Sequence, residues 1–172
     1  MSKREGDLCY ETFSFDKGFN KSVPTLYIVK QRIIQQVNFL KLKILHSETF
    51  FVSKNNQVML ISFFCGYDRV HATRIYWSDQ NQEVGYEELI EYHQKKTGIE
   101  YIYSQEYDVS KFNFEHEFLE IQKIARQIAS VPYTKTLSNC NHSTKELIKK
   151  LQPDLKMEQN FKQYASFECP IF

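Results

Sequence analysis

The feature that most limits how this chain can fold is a succession of short apolar segments with the two-residue period of β-strands, separated by turn-forming residues. In "VNFLKLKILH" (Val37 to His46) the residues Leu40, Lys41, Leu42, Lys43 and Ile44 alternate, which predicts a half-buried strand with Lys41 and Lys43 facing out. "TFFV" (Thr49 to Val52) is a second strand candidate, and "SKNNQ" after it predicts a turn, because Asn and Ser satisfy their own backbone there. "VMLISFF" (Val58 to Phe64) and "RVHATRIYW" (Arg69 to Trp77) flank a Cys65–Gly66–Tyr67–Asp68 turn, so the region reads as a meander of about three main strands. Val23 to Ile34 fits either a short helix, whose first turn Pro24 would suit, or an opening strand.

The period then changes. In "VGYEELIEYHQKKTG" the residues Tyr86, Leu89, Ile90 and His93 follow helical spacing, and Gly98 supplies a C-terminal cap. Ile99 to Asn113 alternates again and predicts closing strands. A longer helix is expected from Phe114 to Ser130, with Phe114, Phe118, Ile121, Ile124, Ala125 and Ile128 on one face and Pro132 beyond its end. Ser143 and Glu146 have capping-box spacing, so a short helix is expected to start at Ser143 and stop at Pro153, with a further turn near Met157 to Phe167. Three strands, a helix and then closing strands is the order of the oligonucleotide-binding (OB) fold, a five-stranded Greek-key β-barrel with a helix between strands 3 and 4. The expected architecture is therefore mainly β with helices: residues 1–30 as an N-terminal extension, 31–132 as the OB barrel with its C-terminal amphipathic helix, and 133–172 as a loop and short helices.

Composition narrows the function classes. A formal net charge of +1 over 172 residues gives no global attraction to nucleic acid, so any such binding needs a local patch. Cys9, Cys65, Cys140 and Cys169 form no CxxC pair, which argues against a zinc ribbon and for reduced thiols. The five glycines build no phosphate loop or nucleophile elbow, "HEFLE" at His116 lacks a zincin's second histidine, and Cys140 with His142 has no second ligand pair. Glu87, Glu88 and Glu91 read as a solvated helix face. The expectation is a protein that is not an enzyme, with no cofactor, no metal and no membrane contact.

Two residue groups stand out. Trp77, the single tryptophan, closes the third strand near Tyr76 and Arg74, with Lys41 and Lys43 on a neighbouring strand. Bases stack on aromatic faces while cations track phosphates, so this set is a candidate single-strand site; the plainer alternative makes Trp77 core. Phe118, Ile121, Ile124, Ala125 and Ile128 form a stripe that either packs on the chain's own barrel or binds a partner's helix.

"RIIQQVNFLKLKIL", the run ending at Trp77, "ELIEYHQKKTGIE" and "FLEIQKIARQIASVP" together resemble the Stn (suppressor of cdc thirteen) subunit of the telomeric CST complex, itself similar to the middle subunit of replication protein A. The resemblance spans about Arg32 to Pro132. It implies a nuclear, telomeric OB-fold subunit that pairs through its C-terminal helix with the small Ten-type OB-fold subunit and joins the large CST subunit on single-stranded telomeric DNA. It also implies recruitment of DNA polymerase α–primase for C-strand synthesis, beside telomerase. Trp77 falls where the replication protein A relative stacks a base, and the Phe118, Ile121, Ala125 and Ile128 face falls on the Ten-binding helix. Lys41 stands where the family usually has glycine, "CGYDR" keeps only Asp68 of an acidic turn, and the family's winged-helix domains are not matched, as expected of an N-terminal half or a divergent form. Three alternatives accompany this reading. The chain could be the Ten-type subunit itself. "YEELIEYHQKKTGIEY" also looks like part of a PAZ domain, which grips RNA 3′ ends. The third is a purely protein-binding OB scaffold.

Overall fold

The computed structural model describes residues 8–12, 23–37, 42–64, 70–77, 82–109, 114–130 and 140–155. Its strands are β1 (Leu8–Thr12), β2 (Pro24–Val37), β3 (Leu42–Ser53), β4 (Val58–Phe63), β5 (Val70–Trp77), the two-residue β6 (Gln82–Glu83) and β7 (Tyr101–Asp108). Its helices are α1 (Tyr86–Lys95), α2 (Phe118–Ala129) and α3 (Cys140–Leu151). The strands make one antiparallel sheet in the order β1-β5-β4-β3-β2-β7, with β6 on β5. The ladder is open, since no described pairing joins β7 to β1. The described residues are thus mainly β, with three helices.

Local chemistry accounts for the elements. Pro24 tolerates the first position of β2 because its missing N–H is least costly there, and Tyr27, Ile28 and Val29 favour the pleated backbone; the ambiguous segment is therefore a strand. Between β3 and β4, Asn56 takes a left-handed φ of 62°, and the Ser53 hydroxyl accepts from the Gln57 amide at 3.2 Å, as the Ser/Asn-rich turn requires. Gly98 has φ 64° just past α1, where a side chain would be strained.

Several boundaries differ from the sequence expectation. Val37 to His46 and Thr49 to Val52 are not two strands; β2 ends at Val37 and a single strand runs from Leu42 to Ser53, because cross-strand pairing continues through the polar residues His46 to Glu48. Ile99 to Asn113 supplies one described strand, β7, which returns to pair with β2. Helix α3 begins at Cys140 rather than Ser143, which is buried inside it, so the capping-box reading does not hold. Residues 8–12 and 24–30, expected in an N-terminal extension, are sheet strands, and α3, expected beyond the barrel, packs into the main core. Met157 to Phe167 lies outside the described residues.

Both sheet faces are covered. One carries Tyr27, Val29, Phe51, Met59, Ile61, Phe63, Tyr103 and Tyr107 against α2 and α3. There α3 is also held by polar contacts: Gln31 Nε2 donates to Ser47 Oγ and to Asn141 Oδ1 at 3.1 Å each, Ser47 bonds Asn141, and Tyr27 bonds Gln152. Hydrogen bonds of this kind between buried groups hold the helix to one register. The opposite face carries Ile28, Phe50, Val52, Val58, Leu60, Ile75 and Trp77 under Val84, Tyr86 and Leu89 at the start of α1. A Cβ at Gly85 would come within 2.5 Å of the Asn56 amide, so α1 starts over the β3–β4 turn.

Because Phe118 and Ile121 are fully buried in the chain's own core, truncating them should destabilise the fold. Ile121→Ala is expected to cost about 2–5 kcal/mol and Phe118→Ala about 3–5 kcal/mol in urea unfolding. Near-wild-type midpoints would show that the α2 stripe is not core.

Candidate functional site: a polar pocket beyond the end of α1

Along the α1 face of the sheet, side-chain character changes abruptly at one row of directly paired residues. Ile28 and Phe50 pair with each other, and Phe50 with Leu60, in an apolar row. The next row on the same face reads Ser104, Lys30, Glu48, Ser62 and His71 across β7, β2, β3, β4 and β5. Beyond it, Arg32 pairs with both His46 and Tyr101. Residues two apart on a strand share a face, so these polar groups occupy positions that their strands otherwise fill with core.

Here the sheet and α1 border a half-open cavity of about 230 Å³ lined by Tyr10, Arg32, Glu48, Leu60, Ser62, Phe64, His71, Thr73, His93 and Ile99. Arg32 Nε donates to Glu48 Oε1 at 3.0 Å, and His46 Nε2 lies 3.9 Å from the same oxygen. The other carboxylate oxygen, Glu48 Oε2, is buried without a partner, as are Ser62 Oγ and His46 Nε2. Such orphans are uncommon in folded proteins and call for a reason. At the rim, Phe64 stacks on His46 at 5.2 Å between ring centroids and meets His71 at 4.7 Å.

One wall is a hydrogen-bonded chain. His93 on α1 places Nε2 2.8 Å from the Tyr10 hydroxyl and Nδ1 2.8 Å from the Tyr101 hydroxyl. Burial lowers the His93 pKa, so the ring stays neutral and must donate to one tyrosine and accept from the other. The Tyr10 ring is 49% exposed, but its hydroxyl end sits against His93; desolvation first, then the nearby Glu48 charge, push its phenol up to about 12. Burial likewise raises Tyr101 and lowers Lys30, whose ammonium donates to Ser104 Oγ at 2.9 Å and lies 4.7 Å from the centre of the Tyr101 ring.

Of the Trp77 group, Trp77 and Arg74 lie on opposite faces of β5. Trp77 is buried in the apolar half of the α1 face, edge-on to Tyr92 at 5.7 Å, and its indole N–H donates to Glu88 at 3.3 Å. Arg74, at odd spacing on the same strand, falls on the other face and pairs with Glu83. Tyr76 pairs with Cys9 and Glu83 in the ladder. Lys43 pairs with Gln36 near the start of β3, and Lys41 lies outside the described residues. Of the α2 stripe, Phe118, Ile121, Ala125 and Ile128 are buried and Ile124 is partly buried against the same core. The side chains proposed to meet a partner are thus engaged within the chain. Cys140 is buried with its thiol toward the Leu45 carbonyl, and no group of three metal-ligating side chains occurs among the described residues.

The pocket was missed because strand periodicity marks a face and not what covers it. The available signal was parity: Lys30 and Arg32 continue the face of Ile28, Glu48 and His46 that of Phe50, and Ser62 that of Leu60.

The lowered His93 pKa has a consequence for stability. The folded chain excludes a proton that the unfolded chain accepts near an ordinary value of about 6.5, so this contribution is full above that pH and is lost as pH falls toward the lowered folded value. Thermal melts from about pH 7.5 to about pH 5 should therefore show a steeper loss of stability in wild type than in His93→Gln, and parallel curves would refute the assignment. No family model, curated protein or solved structure matches this chain, so a functional reading has to rest on the chemistry of this pocket.

Proposed function

We propose that the chain is a non-catalytic binding module for single-stranded nucleic acid, and that it works through the pocket beyond α1 rather than through the Trp77 strand. The observation that carries this reading is the convergence of an exposed aromatic ring, Tyr10, the exposed His71 and the Arg32 guanidinium on one cavity. Flat rings at a rim offer stacking to a base, and the Arg32 N–H groups beyond Nε offer charge to a phosphate. The cavity suits one nucleotide unit, which favours recognition of an end or an extruded base over tracking along a strand. Among the alternatives drawn from the sequence, the PAZ-like one agrees best with such a pocket.

The OB-like reading has its own support. A β2–β3–β4–β5 meander, then α1, then a strand returning beside β2 shares with the OB order the return of a strand after the helix to the first strand of the meander, with one strand more before the helix. A five-stranded Greek-key barrel and a CST-like telomeric role, with a Ten-type subunit, the large CST subunit, telomerase and DNA polymerase α–primase as partners, form the second proposal. In that case the partner contacts would use a surface other than the α2 stripe.

Fluorescence anisotropy with labelled single-stranded RNA and DNA tests the first proposal. Tyr10→Ala and His71→Ala should each weaken binding by about 1–3 kcal/mol, the worth of a stacked base, whereas Trp77→Phe, if folded, should bind as wild type does. A folded wild-type protein that binds neither oligonucleotide, or variants at Tyr10 and His71 with unchanged affinity, would refute it.

A further inference from the structure

The floor of the pocket carries more information than its rim. Glu48 is 5% exposed and Ser62 3% exposed, they pair directly across β3 and β4, and Glu48 Oε2 and Ser62 Oγ both lack a partner. A carboxylate oxygen can only accept, so whatever reaches it must bring an O–H or N–H. A phosphate oxygen there would meet like charge, which assigns phosphate to the Arg32 side and leaves the floor for a neutral donor. Paired residues on one face of an antiparallel ladder have Cβ atoms about 4.5–5.5 Å apart, a spacing that two adjacent ligand hydroxyls can bridge.

We infer that Glu48 and Ser62 receive the vicinal hydroxyls of a ribose, one on Glu48 Oε2 and the other on Ser62 Oγ, with the base toward Tyr10 and His71. Acidic side chains select ribose in dinucleotide sites by the same chemistry, and the 2′-hydroxyl is what separates RNA from DNA at a given position. The inference rests on the pocket being the nucleic-acid site and adds the sugar it selects. The diol has two possible sources, the terminal residue of an RNA strand or a free ribonucleotide.

The test measures binding of one labelled oligoribonucleotide ending in an ordinary ribose, the same oligomer ending in a 2′-deoxy and in a 2′,3′-dideoxy nucleotide, and competition by adenosine monophosphate. Wild type should prefer the ribose end over the dideoxy end by roughly tenfold or more, because two buried acceptors lose their donors. In Glu48→Gln and in Ser62→Ala that preference should shrink. Ser62→Ala removes an atom with no partner in the chain, so it keeps the test decisive if Glu48→Gln does not fold. Competition by adenosine monophosphate would assign the diol to free nucleotide, and its failure would assign it to an RNA end; either supports ribose selection once the preference is seen. Equal binding of all three oligomers by wild type, with Tyr10→Ala still weakening them, overturns the ribose inference and leaves nucleic-acid binding standing. A preference unchanged in both variants overturns it too, and no binding of any oligomer removes both.

Discussion

The structure depends on a mismatch of lengths. Helix α1 has 10 residues, about 15 Å at 1.5 Å per residue, whereas β2 has 14 residues and reaches about 46 Å at 3.3 Å per residue. A helix that short cannot cover the face it lies on. Over its first turns, where Tyr86 and Leu89 sit, the sheet offers Ile28, Phe50, Leu60 and Ile75. Past Lys95 no helix among the described residues continues α1 along this face, and the strands switch to Lys30, Arg32, His46, Glu48 and Ser62.

The two faces solve burial differently. Under α2 and α3 the polar groups at matching positions, Gln31, Ser47 and Asn141, bond one another and hold the helix in register. On the α1 side, Arg32 satisfies only one oxygen of Glu48, and the Tyr10–His93–Tyr101 chain closes one wall while leaving the floor unpaired. Leaving a buried acceptor unpaired typically costs about 1–3 kcal/mol. On the opposite face Thr49 Oγ1, Thr144 Oγ1 and Gln152 Nε2 are also buried without a hydrogen-bond partner, so what distinguishes the α1 side is that the unpaired oxygens of Glu48 and Ser62 belong to residues lining a cavity.

Much of the framework was legible in the sequence because it follows from short-range rules. β4 and β5 lie almost where the apolar runs predicted them, α1 and α2 follow their helical spacing, and Asn56 and Gly98 take the left-handed backbone their positions called for. The errors arose where pairing extends past the local signal. His46 to Glu48 looked like a break between two strands, yet all three pair with β2 and Glu48 with β4 as well, and the start of β2 was unreadable until β3 and β7 flanked it.

The sequence by itself determined the period of each segment, the turn chemistry and the apolar stripes, since each depends on residues within a few positions of one another. Only the tertiary structure decided that Trp77 is buried under α1, that the α2 stripe is spent on the chain's own sheet, and that Tyr10, Arg32, Glu48, Ser62, His71 and His93 share a cavity. The reason is that alternation sorts a strand's side chains to one face or the other, but what lies above that face is set by elements far away in the chain.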